Sequence, residues 1–562
     1  MTDKKELQAK YKEKAFAYAL KNAIEHEGKA KQNKVLNSLF EEGLEKKDIK
    51  TVMPVIKEQV KKVNSYSSEK QKFWYDNEKK NIHEREEREG LRELPRADSY
   101  DKIVLRLAPF PSGALHIGNM KTLLLNALYQ EKYDGKLRLI IDDTIGSEEK
   151  PIVEEAYDLI PEAFKWLDVD YSYPIVYKSD RLEIYYRYAK KLIKKGKAYV
   201  CECSQEVLRE NRKKGIECSC RQHPSEEQMK RWKKMFKSST NPGDYTLRIK
   251  TNMKDKDPAF RDRVLFRIVD REHPRIGKKY RVWPMLEFSW AIDDHKLNMT
   301  HIIRGKDLKI ESRMERFIWD CFGWEHPEII HTGMVKLEGV DAKISKSKAQ
   351  KEVKSGKFIG WDDPRTWSVQ SLRKRGFDPK AIRKFVENLG SSNKDITIPV
   401  EKLYATNRKE IDARADRYSF LPSPKKLPIK DRPSVEEIEV KIHPEKGEKR
   451  KKSAKSPIYV SKKDLEKFKG EEVRLMELFN VKIEEEAEFM DNESRDLPTI
   501  QWASNFVEAR VLMPNGEWET GAAEKAIENL DEGEVIQFKR FGFCRYNGKN
   551  EAGEHEFWFA HQ

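Results

Sequence analysis

Long hydrophobic runs are missing from this chain. No apolar stretch approaches the roughly 20 residues that crossing a bilayer takes, and the charged start, Met1 to Glu6, is not followed by the apolar segment of a secretory leader. A soluble, cytoplasmic protein with no membrane association is expected. Cysteine is scarce too: six in 562 residues argue against a disulfide scaffold. Four of them, Cys201, Cys203, Cys218 and Cys220, form two Cys-x-Cys hooks, which leaves open a local metal site or buried thiols. Charge, by contrast, is abundant. The 111 Lys+Arg against 96 Asp+Glu give a net charge of +15, an excess that suits a polyanionic partner. Single cores stop growing beyond about 250–300 residues, so roughly three or four domains are expected.

The texture changes along the chain. Residues 1–98 are polar, with apolar positions at mixed three and four spacing, among them Ala15, Leu20, Ile24, Val35, Leu39, Val52, Ile56 and Val60, which predicts a small helical domain. The Lys- and Glu-rich stretch Lys79 to Glu89 reads as a solvated helical face or linker. From Lys102 onward, Ile103-Val104-Leu105 and Leu137 to Ile141 are buried-strand patterns around a helical stretch from Leu123 to Tyr133, a βαβ unit. Strand-like segments over Leu286 to Ile292 and Met299 to Ile303, then a helix over Glu311 to Phe322, predict that the same α/β sheet resumes after an interruption that carries the cysteines. A further helix is predicted after Asp378-Pro379, through Ile382 and Phe385 to Leu389. Short strands over Glu437 to Ile442, Glu472 to Leu475, Phe506 to Leu512 and Val535 to Phe538, with a Pro514-Asn515-Gly516 turn, predict one or two β-barrels. The run Lys446 to Lys455 reads as an exposed basic loop.

Two stretches carry chemistry. In Arg106-Leu107-Ala108-Pro109-Phe110-Pro111-Ser112-Gly113-Ala114-Leu115-His116-Ile117-Gly118-Asn119, a strand gives way to a helix. Pro109 and Pro111 stiffen the loop, Gly113 permits a tight turn, and Gly118 lets a ligand approach the backbone. The helix N-terminus favours phosphate there, and His116 adds a donor that can follow growing charge. In Lys343-Ile344-Ser345-Lys346-Ser347, two lysines bracket a serine, flexible point charges suited to a departing pyrophosphate. Each has a bland alternative, a structural turn and a solvated Lys/Ser loop.

Jointly, the pair resembles the two nucleotide-binding sequences of class I aminoacyl-tRNA synthetases. Ile141-Asp142-Asp143-Thr144, Ala291-Ile292-Asp293-Asp294-His295 and Thr300-His301-Ile302-Ile303-Arg304-Gly305-Lys306-Asp307 are similar to the glutamyl branch. Trp361-Asp362-Asp363-Pro364-Arg365-Thr366, Leu372-Arg373-Lys374-Arg375-Gly376, Asn407-Arg408-Lys409 and Gln537 to Phe543 resemble the archaeal type with glutaminyl-enzyme-like C-terminal barrels. The resemblance covers roughly residues 100–562 and implies a multidomain chain. Its expected parts are an N-terminal helical domain (1–98), a Rossmann-type α/β catalytic domain in two halves (99–195 and 281–350), and an inserted acceptor-stem-binding α/β region with the cysteines (196–280). A helical connecting domain (351–405) and an all-β barrel anticodon-binding domain (406–562) complete it.

The same resemblance implies catalytic roles for His116, Asn119, Lys343 and Lys346, and ATP contacts at Pro109, Gly118, Ser345 and Ser347. It implies glutamate contacts at Arg106, Ala108, Asp142 and Arg304, with Asp142 receiving the ammonium. ATP with Mg²⁺, L-glutamate, tRNA(Glu) and, as an open matter, tRNA(Gln) are the implied substrates, on a chain expected to be monomeric. Members of this subgroup generally need bound tRNA before they activate the amino acid.

Charge should carry the choice between glutamate and glutamine, because a carboxylate wants a guanidinium and an amide does not tolerate one left unpaired. Arg304 stands where glutamyl enzymes place arginine; the bland alternative is a salt bridge to an acid such as Asp307. Three positions depart from the pattern: Asn119 replaces a histidine, Phe110 a small or polar residue, and Leu286 a tyrosine. Cys201, Cys203, Cys218 and Cys220 could hold a structural zinc ion, with His223 as a substitute ligand and unmetallated thiols as the alternative; Cys321 and Cys544 read as core. The rival functions are a glutaminyl synthetase, a catalytically silent tRNA-binding paralogue and a shorter nucleotidyltransferase. Arg304 disfavours the first, the retained His116 and lysines the second, and the β-rich C-terminal third the last.

Overall fold

A computed structural model describes residues 2–25, 28–78, 90–145, 151–340 and 346–562. The chain divides into two compact units, Met1–Glu89 and Gly90–Gln562. The first consists of helices α1 (Thr2–Glu25), α2 (Gln32–Glu41), α3 (Ile49–Asn64) and α4 (Ser68–Glu78). Its core contains Ala15, Leu20, Val35, Leu39, Val52, Ile56 and Val60, so the three and four spacing marks the packed faces. Lys79 to Glu89 lie outside the described residues.

The second unit opens with β1 (Val104–Leu107), α5 (Ile117–Lys132), β2 (Lys136–Ile141), α6 (Ala156–Trp166) and β3 (Ser172–Tyr177). The three strands pair in parallel. β1 is buried along its whole length, as a strand covered by helices on both faces must be. After α7 (Leu182–Lys194) comes an antiparallel sheet in the order β4 (Ala198–Cys201), β5 (Thr246–Ile249), β6 (Val264–Ile268), β7 (Val282–Pro284), with α8 (Gln205–Lys214) and α9 (Ser225–Lys234) between its first two strands. The parallel arrangement then resumes through α10 (Leu286–Lys296), β8 (His301–Gly305), α11 (Lys309–Phe322) and β9 (Glu328–Thr332). Thr300 fastens the second part to the first: its N–H donates to Val104 O at 3.0 Å and its Oγ1 accepts from Val104 N–H at 2.8 Å. The spatial order β3-β2-β1-β8-β9 is that of a doubly wound sheet, wound outward in both directions from its centre.

Leu286 to Ile292, expected as a strand, form a helix instead. A short apolar run does not distinguish a buried strand from a buried helix by periodicity, and α10 is buried continuously from Glu287 to Asp294. Its buried acids are tied by arginines: Glu287 to Arg263 at 2.6 Å, Asp293 to Arg181 at 2.8 Å and Asp294 to Arg106 at 2.6 Å. Beyond the sheet run β10 (Val335–Glu338), α12 (Lys346–Lys354), α13 (Val369–Arg375), α14 (Pro379–Leu389), β11 (Ile396–Pro399) and α15 (Val400–Ile411). α14 starts where Asp378-Pro379 announce it, with the Asp378 carboxylate accepting from Lys380 N–H at 2.8 Å.

The C-terminal part is mostly sheet. A seven-stranded sheet joins Arg417–Tyr418 and Phe420–Pro422 with Phe506–Leu512, Trp518–Glu524, Val535–Phe538, Gly542–Lys549 and His555–His561. A five-stranded sheet is built around Glu472–Leu475. The basic run expected as a loop contains a strand, Lys449–Ser453, antiparallel to Glu437–Lys441. Ion pairs run diagonally across this ladder: Lys449 reaches Glu439 at 3.1 Å and Lys451 reaches Glu437 at 2.9 Å, while the alternate residue Arg450 turns to Glu524 at 2.6 Å. Among the described residues no helix is long and apolar enough to cross a membrane.

Candidate active site

At the C-terminal ends of β1 and β8, where the winding of the sheet reverses, lies a cavity of about 1010 Å³. Open α/β sheets bind ligands at this position. The cavity is lined by Arg106, Ala108, Pro109, His116, Gly118, Asn119, Asp142 and Arg304. Phe110 and Leu286 line it too. Lys343 and Ser345 lie outside the described residues; the backbone of Lys346 and Ser347 forms the first turn of α12.

The loop between β1 and α5 is held by its neighbours as well as by its own bond from Ser112 N–H to Phe110 O at 2.9 Å. Pro109 O accepts from Asp142 N–H at 3.1 Å, Pro111 O from Val153 N–H at 2.9 Å, and Leu115 O from Val369 N–H at 2.8 Å. Gly113 has φ 129°, and a Cβ there would stand 2.1 Å from the Trp361 indole. Two of the resembling segments, far apart in sequence, thus touch at a position that only glycine fits. His116 caps α5: its Nδ1 accepts from Gly118 N–H at 3.1 Å. In a neutral imidazole this puts the proton on Nε2, at a helix N-terminus that favours phosphate. Asn119 has its Oδ1 buried without a hydrogen-bond partner among the described residues.

Two arginines of the cavity, Arg106 and Arg304, are already paired. Arg106 forms a two-pronged bond to Asp294 (Nε to Oδ1 2.6 Å, Nη2 to Oδ2 3.1 Å) and lies 3.5 Å over the Trp290 ring. Arg304 donates through Nη1 to Glu315 Oε1 at 2.7 Å and to Ser312 Oγ at 3.3 Å, and its Nη2 stands 3.9 Å from Asp294. Its partner is therefore a glutamate on α11, not Asp307. Arg304 Nη2 and Glu315 Oε2 are buried with no hydrogen-bond partner among the described residues. Burial pushes the Glu315 carboxyl up to about 7, against the pull of Arg304.

Asp142 is occupied as well. The Lys178 ammonium, wholly buried, stands 3.2 Å from Asp142 Oδ1, donates to Ser289 Oγ at 2.8 Å and lies 3.4 Å over the other partner of the cluster, the Trp290 ring. Burial pulls its pKa down while Asp142 opposes the shift. Sequence reasoning missed Lys178, Trp290 and Glu315 as members of this site. Lys178 sits between Tyr177 and Ser179 with no local signal. Glu315 did leave one, as an acid on the apolar stripe of a helix beside buried Met314, Ile318 and Trp319.

The four clustered cysteines meet at the start of the inserted sheet. Their sulfurs lie within 4.8 Å of one another, with Cys203 and Cys218 3.2 Å apart and Cys201 and Cys218 3.6 Å apart. A tetrahedral zinc with bonds of about 2.3 Å holds its sulfurs about 3.8 Å apart. Arg248 Nη1 donates to Cys201 Sγ at 3.7 Å, and Gln228 ties the Cys220 carbonyl at 2.6 Å to Val200 N–H at 2.8 Å. Cys544 is buried and Cys321 partly so.

A doubly wound sheet with an insertion after its third strand, a capped helix after its first and a charged cavity at its switch point form the frame of nucleotide-binding α/β proteins. Residues 102–413 match the family "tRNA synthetases class I (E and Q), catalytic domain", and residues 415–496 and 478–547 match that family's anti-codon binding domains. The chain belongs to the class I tRNA synthetases of the E and Q type. It is 42% identical to the glutamate–tRNA ligase of Pyrococcus furiosus, over 94% of this chain and 96% of that one. To the glutamate–tRNA ligase of Methanocaldococcus jannaschii it is 38% identical, over 96% and 98%, and to that of Methanosphaera stadtmanae 37%, over 98% and 99%.

Proposed function

We propose that this chain attaches L-glutamate to tRNA(Glu) through a glutamyl-adenylate, consuming ATP and releasing AMP and pyrophosphate. The observation that carries the proposal is the convergence of Arg106, His116, Asp142 and Arg304 on one cavity at the switch point of the sheet. ATP, as its magnesium complex, lies with its phosphates toward the N-terminus of α5 and the Nε2 donor of His116. The glutamate α-carboxylate attacks the α-phosphorus in line. The protein contributes position and charge, with no covalent nucleophile. Lys343 and Lys346 follow the leaving pyrophosphate. Arg304 and Arg106 supply the positive field for the two carboxylates, and Asp142 receives the ammonium in competition with Lys178. The terminal ribose hydroxyl of the tRNA then attacks the glutamyl carbonyl of the adenylate, forming the ester and releasing AMP, in a chain acting as a monomer in the cytoplasm. ATP-dependent attachment of labelled glutamate and glutamine to purified tRNA(Glu) and tRNA(Gln) tests the assignment: glutamate on tRNA(Glu) is expected, and attachment of glutamine without glutamate overturns it. Glutamate on tRNA(Gln) in the same assay would widen the acceptor range.

Cys201, Cys203, Cys218 and Cys220 suit a structural zinc ion, which fixes the edge of the inserted sheet and takes no part in the chemistry. One zinc per chain by elemental analysis is expected. Its removal by a chelator, or a Cys203→Ser/Cys218→Ser change, should lower the melting temperature by about 5 °C or more. Metal-free protein whose melting is indifferent to the double substitution would leave only buried thiols.

A further inference from the structure

Arg304 and Arg106, which line the cavity, are packed with Lys178 against the buried carboxylates Asp142, Asp294 and Glu315. Each is at most 5% exposed. With all six ionised, their charges cancel within the set. Of the three acids, Asp142 faces Lys178 and Asp294 is gripped through both oxygens by Arg106. Glu315 is different. A single bond to Arg304 holds one of its oxygens, and the other has no hydrogen-bond partner among the described residues. The second guanidinium nitrogen of Arg304 is equally without one, in a residue that lines the cavity.

We infer that Glu315 is a specificity-determining residue, an internal carboxylate that competes with the side-chain carboxylate of the substrate for Arg304 and yields by taking up a proton. This rests on the proposed glutamate-activating function. Glu315 gains a proton, Arg304 keeps its charge, and the set moves to a surplus of one positive charge that an incoming carboxylate neutralises. A side-chain amide brings no charge and leaves the Arg304–Glu315 pair intact. Discrimination between acid and amide is therefore strongest where Glu315 is protonated. A carboxyl already raised to about 7 by burial changes state with little cost near neutral pH. The other groups that face this pair are Asp294 on α10, Arg106 on β1, His331 on β9 and Glu311 on α11 itself. His331 touches the pair through Ser312, at 3.0 Å, and burial pulls its pKa down; Glu311 is engaged by Arg263 at 3.1 Å.

The test measures kcat and KM for glutamate and for glutamine with the full chain and tRNA(Glu) between pH 6.0 and 8.5, in wild type, Glu315→Gln and His331→Gln. In wild type the KM for glutamate should rise on the order of tenfold across this range, while the KM for ATP does not. Glu315→Gln should remove the rise, and His331→Gln should keep it. Glutamate binding to the wild-type chain with tRNA, followed by calorimetry in two buffers of different ionisation enthalpy at pH 7.5, should show uptake of more than about half a proton. An unchanged slope in Glu315→Gln, or no proton uptake by wild type when the variant does not fold, overturns the inference while leaving glutamate attachment standing. A wild-type chain that attaches no glutamate at any pH would overturn the functional reading itself, and this inference with it.

Discussion

Alanine at position 304 is expected to lower kcat/KM for glutamate by about 10²–10³-fold, since truncating one member of a buried charged pair costs roughly 2–5 kcal/mol. Most of the loss should fall on glutamate KM, with ATP KM little changed. The variant also strands Glu315, whose bond to Arg304 at 2.7 Å is its only one among the described residues. Breaking a buried pair of this kind typically destabilises by about 3–5 kcal/mol, but Glu315 can escape part of that by staying protonated. Its carboxyl lies above the ordinary carboxylate range in the folded chain, so the neutral form is fully favourable only at acid pH, and stability falls as pH rises through the folded pKa. The destabilisation by Arg304→Ala should therefore be larger at pH 8 than at pH 6. Urea unfolding at the two pH values reads the second effect and steady-state kinetics the first; an unchanged glutamate KM would remove Arg304 from the substrate site.

His116→Ala should slow adenylate formation by about 10²–10³-fold, the usual loss when one preorganised donor to a developing negative charge is removed. tRNA affinity should stay within about twofold. A smaller, separable effect comes from the helix: the imidazole Nδ1 caps α5 through Gly118 N–H, and loss of a cap costs about 1 kcal/mol. His116→Asn separates the two, because asparagine caps well and carries a donor amide. It should restore stability and only part of the rate. Tuning of both readouts together, with Asn no better than Ala in stability, would mean that the Nδ1 cap contributes nothing. Pyrophosphate exchange in the presence of tRNA(Glu) measures the chemical step.

Much of the architecture could be read from the chain because it rests on local regularities. The buried-strand patterns around Val104 and Leu137, the capped start of α14 and the apolar faces of α1 to α3 are set by residues near each other in sequence. Where the reading failed, the deciding interaction was distant. Leu286 to Ile292 lie in a helix whose buried acids, Glu287, Asp293 and Asp294, find their partners Arg263, Arg181 and Arg106 elsewhere in the chain. Lys449 to Ser453 form a strand whose lysines reach Glu437 and Glu439 diagonally across the ladder. The cavity divides the same way. Arg106, His116, Asp142 and Arg304 stand out by motif, whereas Lys178, Trp290 and Glu315 acquire meaning only once packing brings them to the same wall. That wall changes what Arg304 offers a ligand: half of a buried ion pair rather than a free guanidinium.

The fastening of β8 to β1 through Thr300 joins positions 196 residues apart. A ribosome adding about 5–20 residues each second needs roughly 10–40 s to cover that interval. In the later part of that interval, once β3 (Ser172–Tyr177) has been made, β1 still lacks β8 beside it, and the inserted antiparallel sheet can complete itself first. The nascent chain can therefore pass through a stage in which its inserted sheet is formed while its cavity is still half a wall, with Arg106 still without Asp294. The interrupted sheet thus orders the birth of the molecule: the cavity cannot close before the insertion that separates its halves has been made.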